Sequence, residues 1–377
     1  MTAVVVAGAL ANKPGSGGEA WVRLSWIRGL QRLGLDVWFV EQLDPSLSPE
    51  PHAGPVAYFR SVVDRFDLAS RATLLAGDDT IVGAPLADLL SLAPSATLVN
   101  ISGHLTHARL FPAFRARALI DIDPGFTQLW HTKGDPGARV TGHDLHFTIG
   151  EHIGSARCPL PTGGVRWQPV RQPVVLSDWP PVDDHEPMHF TTVGNWRGPY
   201  GPIDHDGHRY GLKVHEFRKF IELPERSVHA FELALRIDAA DGGDRIALDT
   251  HGWRLTDPYA ASDGPEAFRA YVQRSGAEFS VAQGIYVDSR CGWFSDRTVR
   301  YLASGKPALV QDTGFSDLLP VGRGLVAFRT IEDAVAGADD IVASYDEHAA
   351  AARAIAERHF DSDHVLARFC EQVGIGP

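Results

Sequence analysis

The segment FSVAQGIYVDSRCGWFSDRTVRYLASGKPALVQDTGF, Phe279 to Phe315, opens on an apolar run that ends in a glycine, crosses a polar loop and enters a predicted helix, Asp296 to Ala303. The helix stops at Ser304-Gly305-Lys306-Pro307. A glycine just past a helix end takes the left-handed conformation that turns the chain, and a following proline prevents the helix from resuming. A short strand, Ala308 to Val310, begins at once and runs into the polar turn Asp312-Thr313-Gly314. Strand, loop, helix, tight turn, strand predicts a right-handed crossover between parallel strands. Open α/β sheets hold their ligands at the loops that follow such strands.

A short helix, then small-Gly-Lys-Pro, a buried strand and an acidic or Thr-Gly turn resembles the donor-binding segment of GT-B glycosyltransferases. It is most similar to their group 1, or family-four-like, branch. The resemblance implies an α/β fold of two Rossmann-like domains whose parallel sheets face each other across a cleft. It also implies transfer of a sugar from a nucleotide-diphosphate sugar to a hydroxyl or amine acceptor.

Length and composition agree with such a protein. At 377 residues the chain exceeds one ordinary domain. Hydrophobic residues make up 44% and charged residues 22%, enough apolar material for sizeable cores. A formal net charge of −12 without a Lys/Arg run argues against nucleic acid as partner. Cys158, Cys291 and Cys370 lie far apart, fit a reducing compartment and have no metal-ligand spacing. The apolar run Ala3 to Leu10 is too short for a signal peptide or membrane span, so a cytoplasmic location without a transmembrane segment is expected.

In the N-terminal half, Thr2 to Gly8 reads as a strand buried on both faces. A Gly/Pro/Ser loop and an amphipathic helix, Glu19 to Leu33, follow, with Val22, Trp26, Leu30 and Leu33 on one face and Arg23 and Gln31 facing out. The loop is not GxGxxG, so a nicotinamide cofactor is not expected. Gly17-Gly18-Glu19-Ala20 resembles the helix opening that lies near the donor diphosphate in the group 1 branch. Three later strands deliver polar residues at their carboxyl ends: Ser102-Gly103-His104, Asp123-Pro124-Gly125 and Gly150-Glu151-His152. His104 and Asp123 are the candidate catalytic groups, either able to take an acceptor proton. Glu151 and His152 are candidates for the acceptor. Residues 1–176 form the expected acceptor-side domain, and the Pro/Asp-rich stretch 177–187 the linker.

The second domain, 188–360, is expected to begin with the strand His189–Val193. Gly194 and Arg197 follow it, resembling the loop where amides and a basic residue meet donor phosphates. Asp204, His205, Asp206 and His208 lie in one polar loop without ligands elsewhere, so no metal is assigned. Val228–Leu235 is expected as a helix. Ala247–Asp249 is expected as a strand whose end places His251 and Trp253 at the nucleotide base, with Asp312 as a further base or sugar contact. Ser295, Arg297 and Thr298 open the helix of the first-quoted segment, where amides and an Arg suit a diphosphate. The final helix, within 361–377, is expected to return to the first domain.

One departure bears on mechanism. Retaining relatives carry a pair of glutamates where this chain has Gly292 and Arg300. Stereochemistry therefore does not carry over. The expectation is a metal-independent transferase with no bound cofactor, the nucleotide sugar being a co-substrate and the acceptor a small molecule or glycan. A nucleotide-sugar epimerase and a non-catalytic nucleotide or carbohydrate binder are the alternatives.

Overall fold

The computed structural model describes residues 3–50, 52–183, 188–198 and 200–376. The chain divides into two compact units, Met1–Ile149 with Pro161–Val175 and Asp361–Pro377, and Gly150–Leu160 with Leu176–Phe360.

In the first unit the strands are β1 (Ala3–Ala7), β2 (Asp36–Gln42), β3 (Ala72–Ala76), β4 (Asp79–Gly83), β5 (Thr97–Ile101), β6 (Ala116–Asp121), β7 (Leu145–Thr148) and β8 (Trp167–Pro169). Helices α1 (Gly17–Arg32), α2 (Gly54–Arg65), α3 (Leu86–Leu92) and α4 (Phe126–Thr132) connect them. The sheet order is β4-β3-β2-β1-β5-β6-β7-β8, parallel except for β3 against β4. Val4 to Ala7 are wholly buried, as an unbroken apolar run at the centre of a covered sheet requires. β2 pairs on one side of β1 and β5 on the other, so the loops after β1 and β5 part at a topological switch point. The hairpin β3–β4 has no strong sequence signal, because its second strand is partly exposed and carries mixed residues.

The second unit is built on β9 (His189–Asn195), with the small hairpin β10 (Ile203–His205) and β11 (His208–Tyr210). Then come α5 (Lys213–Phe217), α6 (Leu223–Arg226), β12 (Ala230–Arg236), α7 (Gly242–Thr250), β13 (Arg254–Leu255), α8 (Pro258–Ser262) and α9 (Gly264–Arg274). The chain continues through β14 (Ala277–Ser280), α10 (Gly284–Ser289), α11 (Asp296–Ala303), β15 (Ala308–Gln311), β16 (Leu325–Phe328), α12 (Ile331–Ala343) and α13 (Tyr345–His359). Its parallel sheet has the order β13-β12-β9-β14-β15-β16, with a second switch point at β9. The last helix, α14 (Ser362–Val373), belongs to the first unit and lies on α1.

Two expected elements exchange identity. Val228–Leu235 is not a helix: Phe231, Leu233 and Leu235 alternate with Glu232, Ala234 and Arg236, and this period of two forms the seven-residue strand β12. Ala247–Asp249 is not a strand but the last part of α7, which buries only Leu248. Within 177–187, Trp179 is fully buried and packs edge-on against Phe268, while residues 184–187 lie outside the described residues.

Candidate functional site

The first unit gathers charge at its switch point. Gly8 follows β1, and a side chain there would put Cβ 2.7 Å from Cγ of Arg23. The missing side chain lets Arg23 lie across the strand end, buried to 1% exposure and ion-paired with Glu19 one turn earlier in α1. Arg23 was expected to face solvent; the bare Cα of Gly8 supplies the room that buries it. No side chain caps α1, which begins at Gly17 and Gly18; the Ser16 carbonyl accepts from the Ala20 amide, but the Ser16 hydroxyl meets none of the first-turn amides. Glu41, near the end of β2, accepts hydrogen bonds from the amides of Leu10 (2.8 Å), Ala11 (2.9 Å) and Asn12 (2.8 Å) and thereby fixes the loop leading to α1.

His104 follows β5 through Ser102 and Gly103, both at positive φ. Arg139 Nη1 lies 3.3 Å from His104 Nδ1. A guanidinium only donates, so Nδ1 accepts and the neutral ring carries its proton on Nε2. Burial, with Arg23 and Arg139 adding positive charge, lowers the His104 pKa to about 3. His104 is therefore a hydrogen-bond donor through Nε2 and cannot be the base expected from the sequence. His107 also serves the fold: its Nδ1 accepts from the Arg109 and Leu110 amides, and Nε2 meets Asp78 at 3.0 Å.

The two aspartates of β6 separate. Asp121 is buried and accepts from Thr127, Gln128, Thr148 and the Asp123 amide, so its carboxylate is committed to the fold. The Asp123 carboxylate accepts no hydrogen bond among the described residues. Burial, reinforced by Asp121 and Glu19, raises its pKa to about 7. A carboxyl group titrating there is suited to proton transfer near neutrality.

In the second unit the expected cations sort into two groups. Arg197 is clamped by Asp241, its Nε and Nη2 donating to the two carboxylate oxygens at 2.6 Å each, which neutralises its charge at the expected phosphate position. Arg297 is buried, with Nε donating to Glu278 (2.7 Å), Nη1 to the Val193 carbonyl (3.0 Å) and Nη2 to Ser280. Three of its five N–H groups are thus committed. Beside it stands Lys213, which the sequence reading missed. Around Gly194, at the end of β9, a Cβ would lie 3.5 Å from Arg297 Nη1 and 3.9 Å from Lys213 Nζ. Burial, then the charge of Arg297, lowers the Lys213 pKa to about 7. The chain holds only five lysines, so one following a Gly-Leu at a helix start carried some signal. Its approach to Gly194 is a tertiary fact.

The remaining residues of the α11 entrance are structural or nearly so. Ser295 caps the helix, its Oγ accepting from the Arg297 amide at 3.2 Å. Thr298 is buried and lines, with Ser280, Trp293 and Gln311, a cavity of about 10 Å³. Asp312 is held by Arg290, Arg329, Ser316 and the Gly314 amide, which leaves it no role at a base or sugar. His251 and Trp253 are likewise displaced. Helix α7 carries the chain back along the sheet, so they precede β13, whose Arg254 pairs with Glu232 near the start of β12. That is the edge opposite the strand ends. Trp253 is 2% exposed, donates to the Ile221 carbonyl and stacks among Phe217, Phe231 and Phe279, while His251 faces Glu225. Glu151 and His152 group with the second unit, not with the sheet of β7. His152 is buried; its Nδ1–H donates to the Arg290 carbonyl (2.9 Å), and its amide to that of Cys291 (2.9 Å). Among the described residues no three His, Cys, Asp or Glu side chains are grouped to hold a metal, and no helix is long and apolar enough to cross a membrane.

No protein-family model and no curated protein sequence matches the chain. Solved structures do. An α-glucosyltransferase in complex with UDP and DNA containing an HMU base superposes with a TM-score of 0.62 at 11% identity, covering 99% of this chain and 100% of that one. The Anabaena protein HepE in complex with UDP-glucose gives 0.61 at 12%, with 99% and 100% coverage. Sucrose-phosphate synthase from Thermosynechococcus elongatus gives 0.57 at 10%, with 99% and 98% coverage. The fold is that of the GT-B glycosyltransferases, two Rossmann-like α/β units in one chain. At such identities the likeness extends to the fold alone.

Proposed function

We propose that the protein is a glycosyltransferase that moves a sugar from a nucleotide-diphosphate donor to an acceptor hydroxyl. The observation that carries this reading is the pairing of Lys213 with Arg297 beside Gly194, at the switch point of the second sheet. Two cations at a strand end in an acidic protein suit a polyanion of the size of a diphosphate. The fold likeness supports it, since several structures so matched hold UDP or UDP-glucose.

In the reaction the bond from the anomeric carbon to the diphosphate oxygen breaks, and a bond from the acceptor oxygen to that carbon forms. The electron pair leaves with the nucleoside diphosphate, whose growing charge Lys213 and Arg297 stabilise. Asp123, as carboxylate, receives the acceptor's proton. His104 donates through Nε2 to a sugar or acceptor oxygen. The positive charge comes from side chains, so this reading assigns no metal and no bound cofactor. The acceptor is a small molecule or glycan and not a nucleic acid, in keeping with the net charge of −12.

A thermal-shift panel of nucleoside diphosphates tests the reading, because a ligand that binds only the folded state raises apparent stability. At least one of UDP, GDP, ADP or dTDP is expected to raise Tm at millimolar concentration. A flat response to all of them would remove the donor assignment.

A further inference from the structure

Beyond the strand-end charges, the first unit holds a cavity of about 320 Å³ lined in part by Arg139, the neighbour of His104. Its walls include Leu105, Phe111, Ala138, Val140 and His143, and Gly103 and Thr141 line it as well. Gly103 lets the two loops abut: at φ +63°, a Cβ there would lie 2.7 Å from that of Arg139. Phe111 and His143 meet edge to face with centroids 5.0 Å apart, forming one aromatic corner.

The polar atoms at the aromatic corner of this cavity are occupied, while Asp135, Arg139 and Thr141 are exposed along its other side. Asn100 Nδ2 stands 3.0 Å from His143 Nε2, and His143 Nδ1 stands 3.1 Å from the Val140 carbonyl. The amide donates and the carbonyl accepts, so both ring nitrogens are committed. Asp135 accepts from the Gly137 amide, and Thr106 donates to Gln42. A sugar ring laid against the Phe111–His143 corner would bury hydroxyls against few open partners, each unpaired group costing about 1–3 kcal/mol. An apolar ring would meet Phe111, Leu105 and Val140 with no such loss and gain the edge-to-face contacts of an aromatic corner. The volume lies at the small end of the range for small-molecule sites, which suits one or two rings and not a polymer.

We infer that this cavity holds the body of the acceptor, and that the acceptor is a small hydroxylated molecule with an apolar, ring-sized aglycone rather than a glycan or nucleic acid. The inference rests on the transferase reading for the word acceptor, but the cavity's ligand class is tested without it. The hydroxyl to be glycosylated faces Arg139, whose Nη1 lies 3.3 Å from His104 Nδ1.

The test is direct binding by calorimetry or fluorescence. 4-Methylumbelliferone and 2-naphthol serve as ring probes, and glucose, N-acetylglucosamine, maltose and a short DNA duplex as competitors. At least one ring probe is expected to bind about tenfold or more tighter than any sugar. Phe111→Ala, which removes the aromatic corner, and Thr141→Trp, which fills the cavity from an exposed position, should each weaken that probe about tenfold. Both variants should keep the wild-type circular dichroism spectrum and affinity for the nucleoside diphosphate. Tighter binding of a sugar or of DNA, ring binding indifferent to both substitutions, or no ring binding at millimolar concentration would overturn the inference. Loss of nucleotide binding in the wild type would instead strike the donor reading, leaving the ring measurement to decide the cavity.

Discussion

Lys213 and Arg297 are neighbours with different duties, and substitution separates them. Arg297 is the counter-charge of Glu278, which is fully buried on β14. Removing one partner of a buried pair leaves the other charged in a dry site, at a cost of about 3–5 kcal/mol. Arg297→Ala should therefore lower Tm as well as weaken nucleotide binding. Among the described residues no carboxylate is ion-paired with the Lys213 ammonium, and its pKa of about 7 leaves it half protonated at neutral pH. A bound diphosphate favours the charged form and raises that pKa. Binding near pH 7.5 should take up protons, seen as a dependence of calorimetric heat on buffer ionisation enthalpy. Affinity should fall as pH rises above 7, because the protonated form that binds becomes scarce. Lys213→Ala should weaken nucleoside-diphosphate binding about 10- to 100-fold, the range for hydrogen bonds to charged groups, and abolish the proton uptake. Proton uptake unchanged in Lys213→Ala would assign the titration to another group.

At the scale of elements, the loop between β1 and α1 is held by one side chain. Glu41 receives three amides and the Asn12 side chain, which fix the buried start of the loop, Leu10–Asn12, ahead of its Gly, Pro and Ser residues. Glu41→Ala would leave up to three amides unmet, at about 1–3 kcal/mol for each that stays buried. The expected result is faster hydrogen exchange at Leu10–Asn12, with the amides of β5 still protected. Equal protection of the loop in wild type and variant would show that the loop is held otherwise. The crossover β14–α11–β15 was legible in sequence because Gly305 and Pro307 mark its turn and the apolar run Ala308–Val310 of β15 begins at once. β12 was misread because a period of two and a period near 3.6 both fit a short run such as AFELALR, and only pairing with β9 decides between them. Candidate residues fared by the same logic. His104 and Asp123 lie at strand ends that the hydrophobic pattern located. Arg197, His251, Trp253 and Asp312 have the right chemistry, but partners or positions that only the folded chain reveals remove them from the strand-end chemistry. Lys213 was missed because its neighbours come from β9 and α11, far away in sequence.

For the molecule as a whole, the path of the chain makes the first unit depend on residues that follow the second. α14 follows the entire second unit in sequence yet packs on α1. Phe369 meets Trp26 and Phe147 edge-on at 5.1 and 4.9 Å, and Leu366 fills the space that Gly29 leaves, where a Cβ would lie 2.4 Å from its Cδ1. The Arg32–Asp363 pair is exposed and adds little to this seam. Leu366, Phe369 and Val373 are each buried, and side chains of this kind contribute about 1.5–3 kcal/mol apiece. Their sum is of the order of a whole domain's stability, about 5–15 kcal/mol. A chain ending at Phe360 should therefore lose hydrogen-exchange protection in β1 and β5 while β14 and β15 keep theirs, each unit having its own sheet and core. The single substitution Leu366→Asp should move in the same direction, by burying an unpaired carboxylate against α1. Wild-type protection of β1 in the truncated chain would refute the dependence, and loss in both sheets at once would mean that the two units unfold as one.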